Sequence, residues 1–182
     1  GLYVPLVYLL AAIPYAWLGL YAWRKRPAVA VAPFAWAMLG MSIWAFVYGL
    51  EIFFSSLSLK LFVVKIEYIG IVAIPVFLFI FALEFTGRSY LLSQRVRLLL
   101  GLFPAIILLL VWTNEYHHLM WGNAGVLNLM GVTLLDVEYR FFFWLHVGFS
   151  YIFLFLSGLV LVMELIQKPG VSRAQIAIVT LG

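Results

Sequence analysis

Positive charge in this chain falls at every second boundary between long apolar runs. Arg24-Lys25-Arg26 closes the first run, Arg88, Arg95 and Arg97 separate the third from the fourth, and Lys168 with Arg173 follows the fifth. Lysine and arginine beside membrane spans are held on the cytoplasmic side. The rhythm predicts a chain that crosses a bilayer repeatedly, beginning outside. Composition points the same way: 66% of residues are hydrophobic and 10% charged, with a mean hydropathy of +1.14. Soluble domains run at about 45–50% apolar and about 25% charged. Lipid must cover most of such a surface.

A span needs roughly 20 apolar residues to cross the hydrocarbon layer. The runs fall at residues 3–23, 31–54, 59–86, 96–112 and 141–166, and a sixth starts near Ala174 and is cut off. The predicted fold is all-α: a polytopic bundle of five full spans plus a truncated sixth, forming one domain over 1–182. Pro75 sits mid-way along the third span, where a missing backbone donor predicts a kink. The first run lacks a preceding basic stretch, which fits a retained span rather than a cleaved signal peptide. The chain opens on Gly1 and stops at Gly182 inside an apolar run, as a fragment would.

The net charge of +4 is no nucleic-acid footprint, because eight of the eleven basic residues lie in the expected cytoplasmic segments, facing anionic headgroups. Cysteine is absent. Disulfides, thiolate metal sites and cysteine nucleophiles are thereby excluded.

One connection is too long for a turn, residues 113–140, and connections of that length are usually functional or disordered. Thr133, Leu135, Val137 and Tyr139 alternate with Leu134, Asp136 and Glu138, and Gly131 separates them from Val126-Leu127-Asn128-Leu129. That pattern predicts a small β-hairpin, placed to cap the extracytoplasmic mouth of the bundle.

Ionisable groups inside spans are costly and count as functional candidates. Glu51 and Lys65 lie at similar depths on neighbouring antiparallel spans, which predicts a Glu51–Lys65 pair, with Lys60 competing nearer the surface. Lys65 and Glu67 are about 200° apart around one helix and cannot face each other. Glu67 returns to the face of Lys60, while Lys65 shares a side with Tyr68. Glu84 and Glu164 each precede a cation by four residues, Arg88 and Lys168, and read as boundary pairs of small energy.

His117 and His118 follow Asn114 and Glu115, and His146 lies about two turns into the fifth span. Adjacent histidines point in different directions, and a firm metal site would want matched spacing on one face. No metal, haem or other cofactor is predicted. Soluble-enzyme signatures for phosphate, dinucleotide, serine or zinc chemistry are missing. Ser150 shares a helix face with His146, but without a third group this reads as packing rather than as a hydrolase.

Several stretches resemble, in order along nearly the whole chain, the N-terminal seven-transmembrane sensor region of bacterial and archaeal histidine kinases. They are Trp44 with Tyr48-Gly49-Leu50-Glu51; Lys65-Ile66-Glu67-Tyr68-Ile69-Gly70 with Pro75 and Phe81 to Gly87; Asn114-Glu115-Tyr116-His117-His118-Leu119-Met120-Trp121; and Phe143-Trp144-Leu145-His146-Val147 with Ser150-Tyr151. Glu67 departs from the pattern, where an uncharged polar residue is expected. The resemblance implies reception of an extracytoplasmic or intramembrane stimulus. It also implies transmission to a cytoplasmic output domain of the same polypeptide, a kinase or another output such as a cyclic-dinucleotide synthase.

The expected ligand-binding set is Glu51, Lys65, Glu67, Tyr68, Asn114, His117, His118, Trp121 and His146, forming a polar pocket under a loop lid. Its ligand would be a small or lipophilic molecule, the lipid bilayer is the obligatory partner, and a homodimer is among the assemblies such a bundle allows. The location expected is the plasma membrane. A transporter or permease fragment is the alternative, though no internal repeat supports it; an intramembrane enzyme built on Ser150 and His146 comes third.

Overall fold

The computed structural model describes residues 3–129 and 131–167. Five helices have the length and hydropathy of membrane spans: α1 (Tyr3–Arg24), α2 (Val31–Glu51), α3 (Leu57–Phe85), α4 (Gln94–Trp112) and α6 (Phe141–Gln167). A one-turn helix α5 (Asn114–His117) and a hairpin of β1 (Trp121–Leu129) and β2 (Val132–Tyr139) connect α4 to α6. In lipid every backbone polar group must be satisfied within the chain, so runs this apolar can only be helical. The expected sixth span and the Lys168–Arg173 cluster lie outside the described residues.

α3 is the centre of the bundle. It packs on α2, α4 and α6, while α1 packs on α2. The most apolar window of α3 is 56% buried, against 17–28% for the other spans. Their remaining apolar surface is what lipid would cover. α2 and α3 approach closely because glycines face each other: a Cβ on Gly40 would meet the Gly70 carbonyl oxygen at 3.2 Å, and one on Gly70 would meet Trp44 N at 3.0 Å. Small residues at such crossings let membrane helices touch backbone to backbone. Pro14, Pro75 and Pro104 all lie inside helices that continue through them.

Short turns set the alternation of the spans. α3 stops in a Schellman arrangement, with Arg88 N donating to Leu83 O and Gly87 N to Glu84 O. Gly87 takes the left-handed conformation (φ 75°) that this stop requires. Ser93 then caps α4, its side chain accepting from Val96 N. The turns after α1 and α3 therefore share one end of the bundle, which carries the Arg24–Arg26 and Arg88–Arg97 clusters; this is the basic end. At it, Arg88 bonds Glu164 of α6 at 2.9 Å and Arg97 bonds Glu84 at 3.1 Å. The expected Glu84–Arg88 pair does not form. Gly87 redirects the chain before Arg88, so the helical i, i+4 relation ends with the helix. Lys168, the expected partner of Glu164, lies outside the described residues.

The opposite end carries the hairpin. β1 and β2 pair antiparallel from Trp121↔Tyr139 to Leu129↔Val132, with an irregularity between Trp121 and Ala124. Gly131 at φ 78° closes the turn. Beneath it lies a core of Tyr68, Val72, Ile107, Val111, Met120 and Trp121.

Candidate functional site

The hairpin, α2, α3 and the start of α6 line a cavity of about 280 Å³. α3 supplies Val64, Glu67, Tyr68 and Ile71. Their spacing of i, i+3, i+4 and i+7 is one helical stripe. Tyr48 and Glu51, three residues apart, come from α2 and share its face for the same reason. From the hairpin come Trp121, Leu134, Leu135, Val137 and Tyr139, and from α6 comes Phe143. The alternating residues 135, 137 and 139 thus face the cavity, and Tyr139 stacks on Phe143 at 3.7 Å between centroids.

Two carboxylates reach this space, and they are treated differently. Glu51 is 2% exposed and pairs with Lys60, itself fully buried, at 2.5 Å. The Lys60 ammonium also donates to Glu51 O at 2.9 Å and to Thr133 O at 2.6 Å. Three acceptors match the three donors of an ammonium, so Lys60 is saturated and ties the hairpin tip to the turn between α2 and α3. Glu67 is 4% exposed, and its Oε1 has no hydrogen-bond partner. Tyr139, on the hairpin, has its phenol pushed above the ordinary value by burial and then by Asp136 and Glu67. It is therefore a neutral hydroxyl at physiological pH.

A larger concavity of about 720 Å³ opens at the basic end, along the turn from Arg26 to Ala32 with Glu84 and Ser89. Its carboxylate is already bonded to Arg97. The hairpin-end cavity, with an orphaned buried oxygen, is the better candidate for a ligand.

The family model described as the N-terminal 7TM region of histidine kinase matches residues 7–182. The chain belongs to that family. No curated protein and no solved structure matches it. Family and apolar helices together make the chain a multi-pass membrane domain of a sensor kinase.

In this sensor region the run from Asn114 to Trp121 is a fastening. Asn114 is 2% exposed. Its Oδ1 accepts from Met120 N at 2.9 Å and Trp121 N at 3.3 Å, and its Nδ2 donates to Trp121 O at 2.9 Å. One side chain thereby folds the loop back and sets Trp121 beside Tyr68, 6.1 Å between ring centroids. His117 works alongside: Leu119 N donates to its Nδ1, and its Nε2 lies 3.0 Å from Thr113 Oγ1. Thr113 Oγ1 already donates to Leu109 O. The network therefore assigns the neutral tautomer with the proton on Nε2.

The expected Glu51–Lys65 pair is corrected. Lys65 bonds Glu115 at 2.5 Å and donates to Trp112 O at 3.3 Å, stitching α3 to the end of α4. Lys60 shares the stripe of residues 64, 67 and 71 that lines the cavity, whereas Lys65 is turned away from it by about 140°. Partial burial pushes the Glu115 carboxyl up, but the Lys65 hydrogen bond and nearby positive charge outweigh it and hold the group below its ordinary 4.5.

Of the nine residues expected to form one pocket, Glu51, Glu67, Tyr68 and Trp121 line the cavity. Asn114, His117 and Lys65 secure the loop beside it. His146 is buried behind Tyr68, 5.8 Å between rings, and its Nδ1 lies 3.5 Å from Ser150 Oγ. His118 adopts a left-handed turn (φ 51°) and is exposed. Among the described residues no three His, Asp or Glu side chains gather as a metal site would need. The cavity residues absent from the expected set are Tyr48, Val64, Ile71, Phe143 and those of β2. The helical stripe and the strand alternation were the signals that mark them.

Proposed function

We propose that this chain is the signal-receiving region of a sensor histidine kinase, with its basic end in the cytoplasm and its hairpin end facing outward. The hairpin-end cavity receives a small molecule, and the bundle passes the resulting shift to a cytoplasmic output domain of the same polypeptide. The observation that carries this reading is the cavity beneath the hairpin with the unpartnered Glu67 oxygen in it. α3 supports the transmission: it runs unbroken from that cavity to Glu84, which bonds Arg97 of α4, and Arg88 four residues later bonds Glu164 of α6. A ligand shifts such a bundle only through its differential affinity for two states, so occupancy must alter how the hairpin and α2 sit on α3.

The test is autophosphorylation of the full-length protein in proteoliposomes. Val64→Trp and Ile71→Trp fill the cavity and are expected to move basal autophosphorylation several-fold, in the same direction, at wild-type folding stability. Unchanged kinase activity in both folded variants sinks the reading. The permease alternative finds no support in the described spans, each a continuous helix where transporters break theirs. Substrate accumulation in sealed vesicles would reinstate it.

A further inference from the structure

The cavity has a chemical polarity that narrows its ligand, if it is the ligand site proposed above. Its surroundings hold two carboxylates, Glu51 and Glu67, against one ammonium, Lys60. All three Lys60 donors are engaged within the protein, so it has none to offer an anion. Lys65, the other cation in the span, is bonded to Glu115 and Trp112 instead. What remains open is acceptor capacity: Glu67 Oε1, buried without a partner.

The walls complete the pattern. Tyr48, Tyr68, Trp121, Tyr139 and Phe143 surround the space, and electron-rich ring faces attract cations, more strongly when water is excluded. The volume of about 280 Å³ sits at the small end of ligand pockets. We propose that the cavity binds a small organic cation, an ammonium with N–H donors carried on an apolar or aromatic body. The ammonium bonds Glu67 and neutralises the surplus carboxylate, and the body packs among the rings and the aliphatic residues of β2. Glu67, buried and with Oε1 unpartnered, can carry its charge there only at a cost; the cation removes that cost on entry, which gives the occupied arrangement its preference.

The experiment uses the full-length protein in nanodiscs and three probes of nearly equal shape: 2-phenylethylammonium, neutral 2-phenylethanol and anionic phenylacetate. Binding is read by isothermal titration and by thermal stabilisation. The ammonium is expected to bind at least about tenfold tighter than the alcohol, as for a charge-assisted bond replacing a neutral one, and phenylacetate more weakly than either. Glu67→Gln, which keeps the shape, should abolish the preference for ammonium over alcohol, whereas Glu115→Gln, outside the cavity, should preserve it. Equal binding of ammonium and alcohol, tighter binding of phenylacetate, a preference that survives Glu67→Gln, or no binding by any probe overturns the inference. The sensor reading fails separately, through unchanged autophosphorylation of the two cavity-filled variants.

Discussion

At the scale of single residues, burial turns ordinary side chains into constraints. Lys60 is saturated by Glu51 and Thr133, so its removal leaves a carboxylate and a carbonyl without partners in a dry site. Lys60→Met is expected to destabilise the domain by about 3–5 kcal/mol. The double variant Glu51→Gln/Lys60→Met should recover most of that loss, because a fully neutral site carries no stranded charge. Thermal unfolding in detergent measures both. Lys65 and Glu115 behave differently, since the Glu115 side chain is 54% exposed and such pairs contribute about 0–1 kcal/mol. The sign of their pH dependence follows from the lowered Glu115 value. A carboxylate depressed on folding adds stability above its unfolded value, and that contribution disappears as pH falls through the folded value. Acidification from the ordinary 4.5 downward should therefore loosen the α3–α5 tie, and Glu115→Gln should remove that component. Carboxyl NMR of labelled glutamate reads it directly. The sequence exposed which acids and bases were buried, but not their partners. Depth along a helix follows from counting residues, whereas the choice between Lys60 and Lys65 depends on how α3 is rotated against α2.

At the scale of elements, helices were legible because hydropathy is one-dimensional: the expected 31–54, 59–86 and 141–166 correspond to α2, α3 and α6 with small shifts at their ends. The hairpin was legible from alternation and from Gly131. The order of packing was not. Lipid-facing and core-facing residues are equally apolar, so a membrane helix lacks the polar face that orients a soluble one. Glycine is the exception, because it marks where backbones meet. Gly70→Ala places a methyl against Gly40 and Trp44 of α2 and should cost about 1–3 kcal/mol, as overpacking does. Gly101→Ala, with nothing within 4 Å, should be neutral or add about 0.5–1 kcal/mol through helix propensity. Comparing the two unfolding midpoints separates a packing glycine from an incidental one. Equal effects would mean that the α2–α3 crossing does not depend on close approach.

At the scale of the whole molecule, chemistry is divided between two ends. The basic end holds the ion pairs that tie α3 to α4 and α6; the hairpin end holds the cavity, Glu67 and the aromatic walls; α3 is the piece common to both. Orientation in the membrane decides what this division means. With the basic end in the cytoplasm, the cavity meets molecules from outside and the ion pairs sit where an output domain attaches. Reversed, the cavity would face the cytoplasm and the proposed reception of external signals would lose its basis. The retention of lysine and arginine on the inner side predicts the first arrangement, and the absence of cysteine from this region makes it measurable. Asp136→Cys, exposed on β2, and Ala28→Cys, exposed in the turn after α1, introduce single thiols at opposite ends. A membrane-impermeant maleimide added to intact cells should label Asp136→Cys and spare Ala28→Cys until the cells are permeabilised. The opposite pattern would invert the bundle, turn the hairpin into a cytoplasmic element and require the kinase output to be sought through the other face.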